Sequence, residues 1–196
     1  MPCDQTPAKR KVILITDGDE IARKTVEAAA RKVGARVISR SAGNPTPLSG
    51  REIVELVHQA LHDPVLVMFD DNGHDEEGHG EKALREFVSH PSIEVIGAIA
   101  VASNTRLVDG TQVDFSLDSK GNIVRDGVDK YGEPLGLRNP VISGDTVDVL
   151  RECEVPVVVG IGDIGKMMGR DAYYKGAPIT TSAILEILKR NGYNSG

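Results

Sequence analysis

Two acidic clusters follow two apolar runs that read as successive strands. Thr16-Asp17-Gly18-Asp19-Glu20 comes after residues 11–15, and Asp70-Asp71-Asn72-Gly73-His74-Asp75-Glu76-Glu77 comes after residues 65–69. Open parallel α/β sheets bind ligands outside the carboxyl ends of their strands, so the two clusters could converge on one crevice, as the strand order, which the sequence leaves open, decides. Carboxylates placed there suit Mg²⁺ or Ca²⁺, hard ions that take oxygen ligands. Asp17 and Asp70 are the candidate metal ligands, with Asp19, Asp71 and Asn72 as further ligand-binding candidates. A bound Mg²⁺ would polarise a phosphate. Helix capping is an equally ordinary use for Asp17, Asp19 and Asp71, and the sequence leaves both open. Adjacent strand residues point to opposite faces, which separates Asp70 from Asp71.

The second candidate is Gly160-Ile161-Gly162-Asp163-Ile164-Gly165-Lys166, a Gly-x-Gly-x-x-Gly run after a strand. In a dinucleotide-binding unit this run opens the first βαβ, with an acidic residue about 20 positions later at the end of the next strand. Here it lies near the end of the chain and is followed by a loop and one helix. A glycine-rich anion loop is the better reading, with Gly160, Gly162, Asp163 and Lys166 as its candidates and Arg170 adding positive charge. No Ser or Thr follows the Gly-Lys pair, so it is not a P-loop. His74 and His79 are five residues apart with Gly78 between them, unlike the one-turn spacing of a His-Glu-x-x-His zinc helix, and the stretch reads as an acidic loop. Nucleophilic catalysis has no Gly-x-Ser-x-Gly, and neither Cys3 nor Cys153 has an activating neighbour. Free thiols in a reducing compartment are expected.

The elements that must position these residues follow from apolar periodicity. A buried strand over 12–16 leads into a helix over 21–33 that Gly34 stops. A short strand over 36–39 ends in a two-proline loop, and Ser49 with Glu52 forms a capping box for a helix over 50–62. A strand over 65–69, a helix over 77–89 and a strand over 94–102 complete a βα alternation. That alternation implies a parallel sheet covered on both faces with right-handed crossovers. The pattern then changes to a hairpin, with residues 111–117 alternating and 123–124 returning through Asp118-Ser119-Lys120-Gly121-Asn122. A long irregular stretch over 126–139, a helix over 145–152, a strand over 155–159 and a helix over 179–190 finish the chain. In that last helix Thr180, Thr181 and Ser182 are the capping choices.

The fold expected is therefore a single doubly wound α/β domain, Rossmann-like or Toprim-like, over residues 11–192, with an inserted β-hairpin and short tails at 1–10 and 193–196. With 196 residues, no Trp and only 4 % aromatics, its core must be aliphatic. A net charge of −6 disfavours general nucleic-acid binding, which needs a basic surface. Residues 1–10 are polar and do not read as a secretory leader, and no apolar run approaches the roughly 20 residues of a bilayer span. The chain is expected to stay soluble in the compartment where it is made.

Three segments carry a resemblance. Arg10-Lys11-Val12-Ile13-Leu14-Ile15-Thr16-Asp17-Gly18-Asp19, Phe69-Asp70-Asp71-Asn72-Gly73 and Val159-Gly160-Ile161-Gly162-Asp163-Ile164-Gly165-Lys166-Met167 resemble, in that order, the soluble stage V sporulation protein AE family of spore-forming bacteria. The resemblance runs from about residue 9 to 192. It implies a product of the operon that moves dipicolinic acid with Ca²⁺ into the developing spore and releases it in germination. It further implies a peripheral position at the inner spore membrane, held by the operon's membrane-bound subunits. The function expected is that of a non-catalytic accessory protein, with the acidic crevice taking a cation or small ligand. The competing expectation is a Mg²⁺-dependent phosphoryl-transfer or phosphohydrolase-like enzyme built on Asp17 and Asp70, with Lys166 neutralising developing charge.

Overall fold

The computed structural model describes residues 8–72, 78–103, 110–144 and 146–193. The chain lays down β1 (Arg10–Ile15), α1 (Glu20–Val33), β2 (Arg36–Val37), α2 (Gly50–Gln59), β3 (Val65–Met68), α3 (His79–Val88) and β4 (Ile93–Val101). It continues through β5 (Thr111–Gln112), β6 (Phe115–Leu117), β7 (Ile123–Val124), β8 (Val141–Ile142), β9 (Val158–Ile161) and α4 (Pro178–Arg190). Seven strands form one sheet in the order β2-β3-β1-β4-β9-β6-β7, and β5 pairs with β8 in a separate antiparallel ribbon. All pairings in the main sheet are parallel except that of β6 with β7.

Strict alternation in β1 explains the two layers. Ile13 and Ile15 face α1 and α4, packing with Ala22, Val26, Ile184 and Ile187. Val12 and Leu14 face α2 and α3, packing with Ile53, Val57, Leu84 and Phe87. A strand buried on both faces reads as a continuous apolar run, as residues 12–15 do.

The helix boundaries have local causes. Asp19 caps α1 by accepting the N–H groups of Ile21 and Ala22, and Gly34 ends it with φ 71°. Ser49 and Glu52 complete the expected capping box of α2. That helix ends at Gln59, short of residue 62, because the Arg10 guanidinium takes the carbonyls of His58 and Ala60, each at 3.1 Å. The same side chain pairs with Asp63 at 2.8 Å, so this part of the basic N-terminal stretch is spent inside the fold.

Four expectations need correction. Residues 111–117 do not form one strand: β5 joins β8, while β6 enters the main sheet beside β9 and turns back as β7. The break is fixed at Asp114, whose N–H donates to Val158 O at 2.9 Å and whose Oδ2 accepts the Val158 N–H at 2.7 Å. The helix expected over 145–152 is a 3-10 segment, Val147–Glu152, entered through Thr146 at φ 63° with no side-chain cap. The strand expected over 155–159 lies at Val158–Ile161, which puts Gly160 inside the sheet. There its missing side chain is required, since a Cβ would sit 2.4 Å from Ile142 Cδ1 and 2.5 Å from Ser116 Oγ. Finally, none of Thr180, Thr181 and Ser182 caps α4, whose N-cap position is Ala177 with no side-chain bond.

A candidate site at the carboxyl edge of the sheet

Register places the two leading carboxylates together. In the β1–β3 pair Ile15 stands opposite Met68, so Asp17 and Asp70, each two residues farther on, leave the sheet side by side. Asp70 Oδ2 accepts the Gly18 N–H at 3.1 Å, tying the first acidic loop to the second. Gly18 is needed for this approach: a Cβ there would lie 2.8 Å from Gly43 O and 3.1 Å from Asp70 Cβ. Thr46, from the two-proline loop, clamps Asp70 through its backbone. Its Oγ1 accepts the Asp70 N–H and its own N–H donates to Asp70 O, both at 2.9 Å.

Asp71 turns the other way, as alternation requires. It is 1 % exposed, and its carboxylate accepts the N–H groups of Gly80 and Glu81 at the start of α3. Its role is helix capping at a distance, against the positive helix end. Gly78 and Gly80 make room for it; a Cβ at Gly80 would lie 2.1 Å from Asp70 O. Asn72 sits at φ 59° and donates its N–H to Asp70 Oδ1 at 3.0 Å. His74 and the acidic residues 75–77 lie outside the described residues. His79 Nδ1 donates to Thr46 O at 2.7 Å, which commits that ring to holding the same loop.

Lys166 joins the glycine-rich segment to the first cluster. Its Nζ donates to Asp19 Oδ2 at 2.8 Å and to Asp163 Oδ1 at 2.9 Å. The loop N–H groups are also engaged inside the chain: Asp163 N donates to Lys130 O at 2.9 Å, Gly165 N to Asp171 Oδ2 at 3.1 Å, and Lys166 N to Asp163 O at 3.2 Å. The glycines face protein. A Cβ at Gly162 would lie 2.7 Å from Gly132 N, and one at Gly165 would lie 2.2 Å from Thr25 Oγ1 on α1. Gly160, Gly162 and Gly165 are thus explained by close packing, and Lys166 by the carboxylates on either side of it.

The electrostatics of the cluster are uneven. Burial, followed by the neighbouring charges of Asp19, Asp70 and Asp163, pushes Asp17 well above the usual carboxylate range. One oxygen of Asp17 accepts the Asp19 N–H at 3.3 Å. Burial also raises Asp163, with Lys166 acting against it. For Asp19 burial is outweighed by Lys166 and by the N–H groups of Ala22 and Ile21, and the carboxyl titrates below its ordinary value. Lys166 is pushed up by its two carboxylates despite its own burial. Among the described residues no three His, Cys, Asp or Glu side chains are placed to hold a metal ion between them. A cation held by Asp17 and Asp70 would complete its shell with water or with oxygens of its own ligand. Beside them a pocket of about 320 Å³ opens between the start of α1 and the loop at 42–44, lined by Gly18, Asp19 and Arg23.

Two residues escaped sequence reading. Thr46 carries no motif, and its role depends on a loop reaching across β3. Asp171 is fully buried and organises both the glycine-rich loop and α4: it accepts the N–H groups of Ile179 and Thr180 at 2.8 and 3.0 Å and the Thr180 hydroxyl at 2.7 Å, besides Gly165 N. Its signal is a helix that begins at Pro178 without a capping side chain.

Comparison with known families matches residues 11–191 to stage V sporulation protein AE1. No match emerges among curated proteins or among solved structures. The match spans nearly the whole chain, including both acidic loops and the glycine-rich segment, and the chain belongs to the stage V sporulation protein AE1 family.

Proposed function

We propose that this sporulation protein is a non-catalytic accessory component of dipicolinic acid handling, working with membrane-bound subunits of the same operon at the inner spore membrane. In this reading the crevice beside Asp17 and Asp70 takes a divalent cation, Ca²⁺ in particular. The observation that carries the reading is the family match over residues 11–191. The chemistry of the crevice agrees with it. Asp17 feels the charges of Asp19, Asp70 and Asp163, Lys166 answers Asp19 and Asp163, and such a group of carboxylates suits a hard cation. Ca²⁺ accepts six to eight oxygen ligands, and dipicolinate occupies only part of that shell, leaving positions for protein carboxylates. Lys166 is bound to Asp19 and Asp163, which makes it part of the crevice wall.

The test is calorimetric titration of the protein with Mg²⁺, Ca²⁺ and Ca²⁺-dipicolinate, repeated on the Asp17→Asn/Asp70→Asn variant. The expected result is Ca²⁺ or Ca²⁺-dipicolinate binding that the variant loses. Binding that persists in the variant, or its absence from the parent protein, rejects the crevice as the site. Unchanged dipicolinate content and germination kinetics in spores lacking the protein would reject the accessory role itself.

A further inference from the structure

The chain has seven aromatic residues, three Phe and four Tyr, and no Trp. A protein this short of aromatics would be expected to bury them, yet Tyr131, Tyr173 and Tyr174 are 47, 42 and 73 % exposed. Tyr173 and Tyr174 lie edge to face with ring centroids 5.5 Å apart, on the 3-10 turn Tyr173–Lys175 that packs against α1. Next to them Met168 is 84 % exposed at φ 56°, in the turn whose Gly169 carbonyl accepts Lys175 Nζ at 2.8 Å. Two successive left-handed non-glycine residues, Met167 at φ 41° and Met168, hold this turn. Met167 is buried while Met168 projects. Strained backbone of this kind persists where the surroundings enforce it.

Each exposed tyrosine carries a lysine on its ring: Lys24 with Tyr173 at 5.8 Å, Lys175 with Tyr174 at 6.0 Å, and Lys130 with Tyr131 at 4.8 Å. Lys24 also lies 3.3 Å from Glu20 Oε1 in an exposed pair that solvent screens, and this lysine-bearing rim belongs to a chain of net charge −6. Protein interfaces favour Tyr and Met but are depleted in Lys. Exposed Tyr rings at headgroup depth, an apolar tip and lysines around them are instead the composition of a bilayer–water interface.

We propose that the face made by Met168, Tyr173 and Tyr174, rimmed by Lys24 and Lys175, docks directly on an anionic lipid surface. Met168 and Tyr174 enter the headgroup boundary and the lysines meet lipid phosphates. Among the described residues no helix is long and apolar enough to cross a membrane, and the proposal does not depend on what the acidic crevice binds. The contact is shallow, so affinity depends on the apolar tip and the lysines together.

The experiment is co-sedimentation of the protein with protein-free vesicles, either pure phosphatidylcholine or phosphatidylcholine mixed with an equal part of phosphatidylglycerol. Binding to the mixed vesicles at low salt, and not to the neutral ones, is expected. Met168→Ser/Tyr174→Ser should abolish it, and Lys24→Gln/Lys175→Gln should weaken it by at least about tenfold. Leu61→Ser is the matched control, since Leu61 is equally exposed, at 84 %, but follows α2 at the opposite end of the sheet. Circular dichroism of each variant guards against unfolding. The proposal is overturned by no binding to either vesicle, by binding that survives the Met168/Tyr174 change, or by equal loss in the Leu61 control. Retention only by native membranes that still contain protein also overturns it and assigns the face to a protein partner. Calcium titration of the Met168/Tyr174 variant should be unchanged, which separates failure here from failure of the crevice.

Discussion

Lys166 Nζ lies 2.8 Å from Asp19 Oδ2, a contact between residues 147 positions apart that locks the last strand's loop onto the start of the first helix. Asp19 uses its other oxygen to cap α1, so a single carboxylate fastens two elements. Asp163 takes the same ammonium at 2.9 Å. The consequence is a crevice whose outer wall holds Lys166 between two carboxylates, with the buried Asp17 and Asp70 set behind it.

Replacing Lys166 with Met removes the balance. Asp19 and Asp163 would then repel each other at the mouth of the crevice. Both side chains are between a quarter and a third exposed and Lys166 is 38 % exposed, so solvent screens the pair. The expected cost is about 1 kcal/mol, a Tm lower by about 2–4 °C. The loss should shrink as salt is added. Because the folded protein holds Asp19 below its ordinary value, that carboxylate contributes stability above its unfolded pKa and loses it as pH falls through the folded one. Thermal melts of Lys166→Met should therefore show a flatter acid limb than the parent. Equal Tm at low salt would mean that the contact contributes nothing.

Asp17→Asn should stabilise the protein at neutral pH. The folded state raises this carboxyl by burial and by the charges of Asp19, Asp70 and Asp163. A raised folded value means that the native state binds the proton more tightly than the unfolded chain. Stability then falls as pH rises from the unfolded carboxyl value through the raised folded one. The amide removes that dependence, and a higher Tm than the parent's at pH 7 follows. A parent protein whose Tm is flat over that range, with no gain in the variant, would contradict it.

In the proposed cation-binding reading the same carboxyl would couple binding to pH. A cation that replaces the Asp17 proton must release it, so calorimetric Ca²⁺ affinity should rise with pH until Asp17 ionises unaided. Titration in buffers of different ionisation enthalpy should show proton release in the lower part of that range. Proton uptake, or affinity indifferent to pH, would place the cation away from Asp17.

Much of this arrangement was legible in the residues. The apolar runs at 12–15 and 65–68 are buried on both faces, and such runs announce a parallel sheet. The place of both acidic loops at strand ends was legible, and Asp19, Ser49 and Gly34 gave their caps away by type and spacing; that the loops meet depends on β1 lying beside β3, a strand order the residues leave open. What stayed hidden depends on tertiary contact. Gly160-x-Gly162-x-x-Gly165 spells a phosphate cradle, but its glycines answer to Ile142, Gly132 and Thr25, none of which the local sequence names. The split of 111–117 into two sheets turns on Asp114 finding Val158. Asp71 and Asp171 cap helices that begin eight and seven residues after them, beyond the reach of any local capping pattern.

Asp171 is the most consequential of these. Its carboxylate is fully buried and accepts four donors, from Gly165, Ile179, Thr180 N and Thr180 Oγ1. Asp171→Ala strands buried donors at the start of α4 and in the glycine-rich loop at once. Charge-assisted bonds of this kind and the exposed penalty of their partners make a loss of about 3 kcal/mol or more the expected result. In Tm this is about 6–12 °C for a domain of this size. Asp171→Asn keeps one acceptor oxygen and should lose roughly half as much, on the order of 1–2 kcal/mol. Loosening the loop also frees Lys166 from its fixed place between Asp19 and Asp163. Hydrogen exchange should accordingly quicken at Gly165 and Lys166 as well as at Ile179 and Thr180. Faster exchange confined to α4 would show that Asp171 caps a helix without positioning the crevice wall.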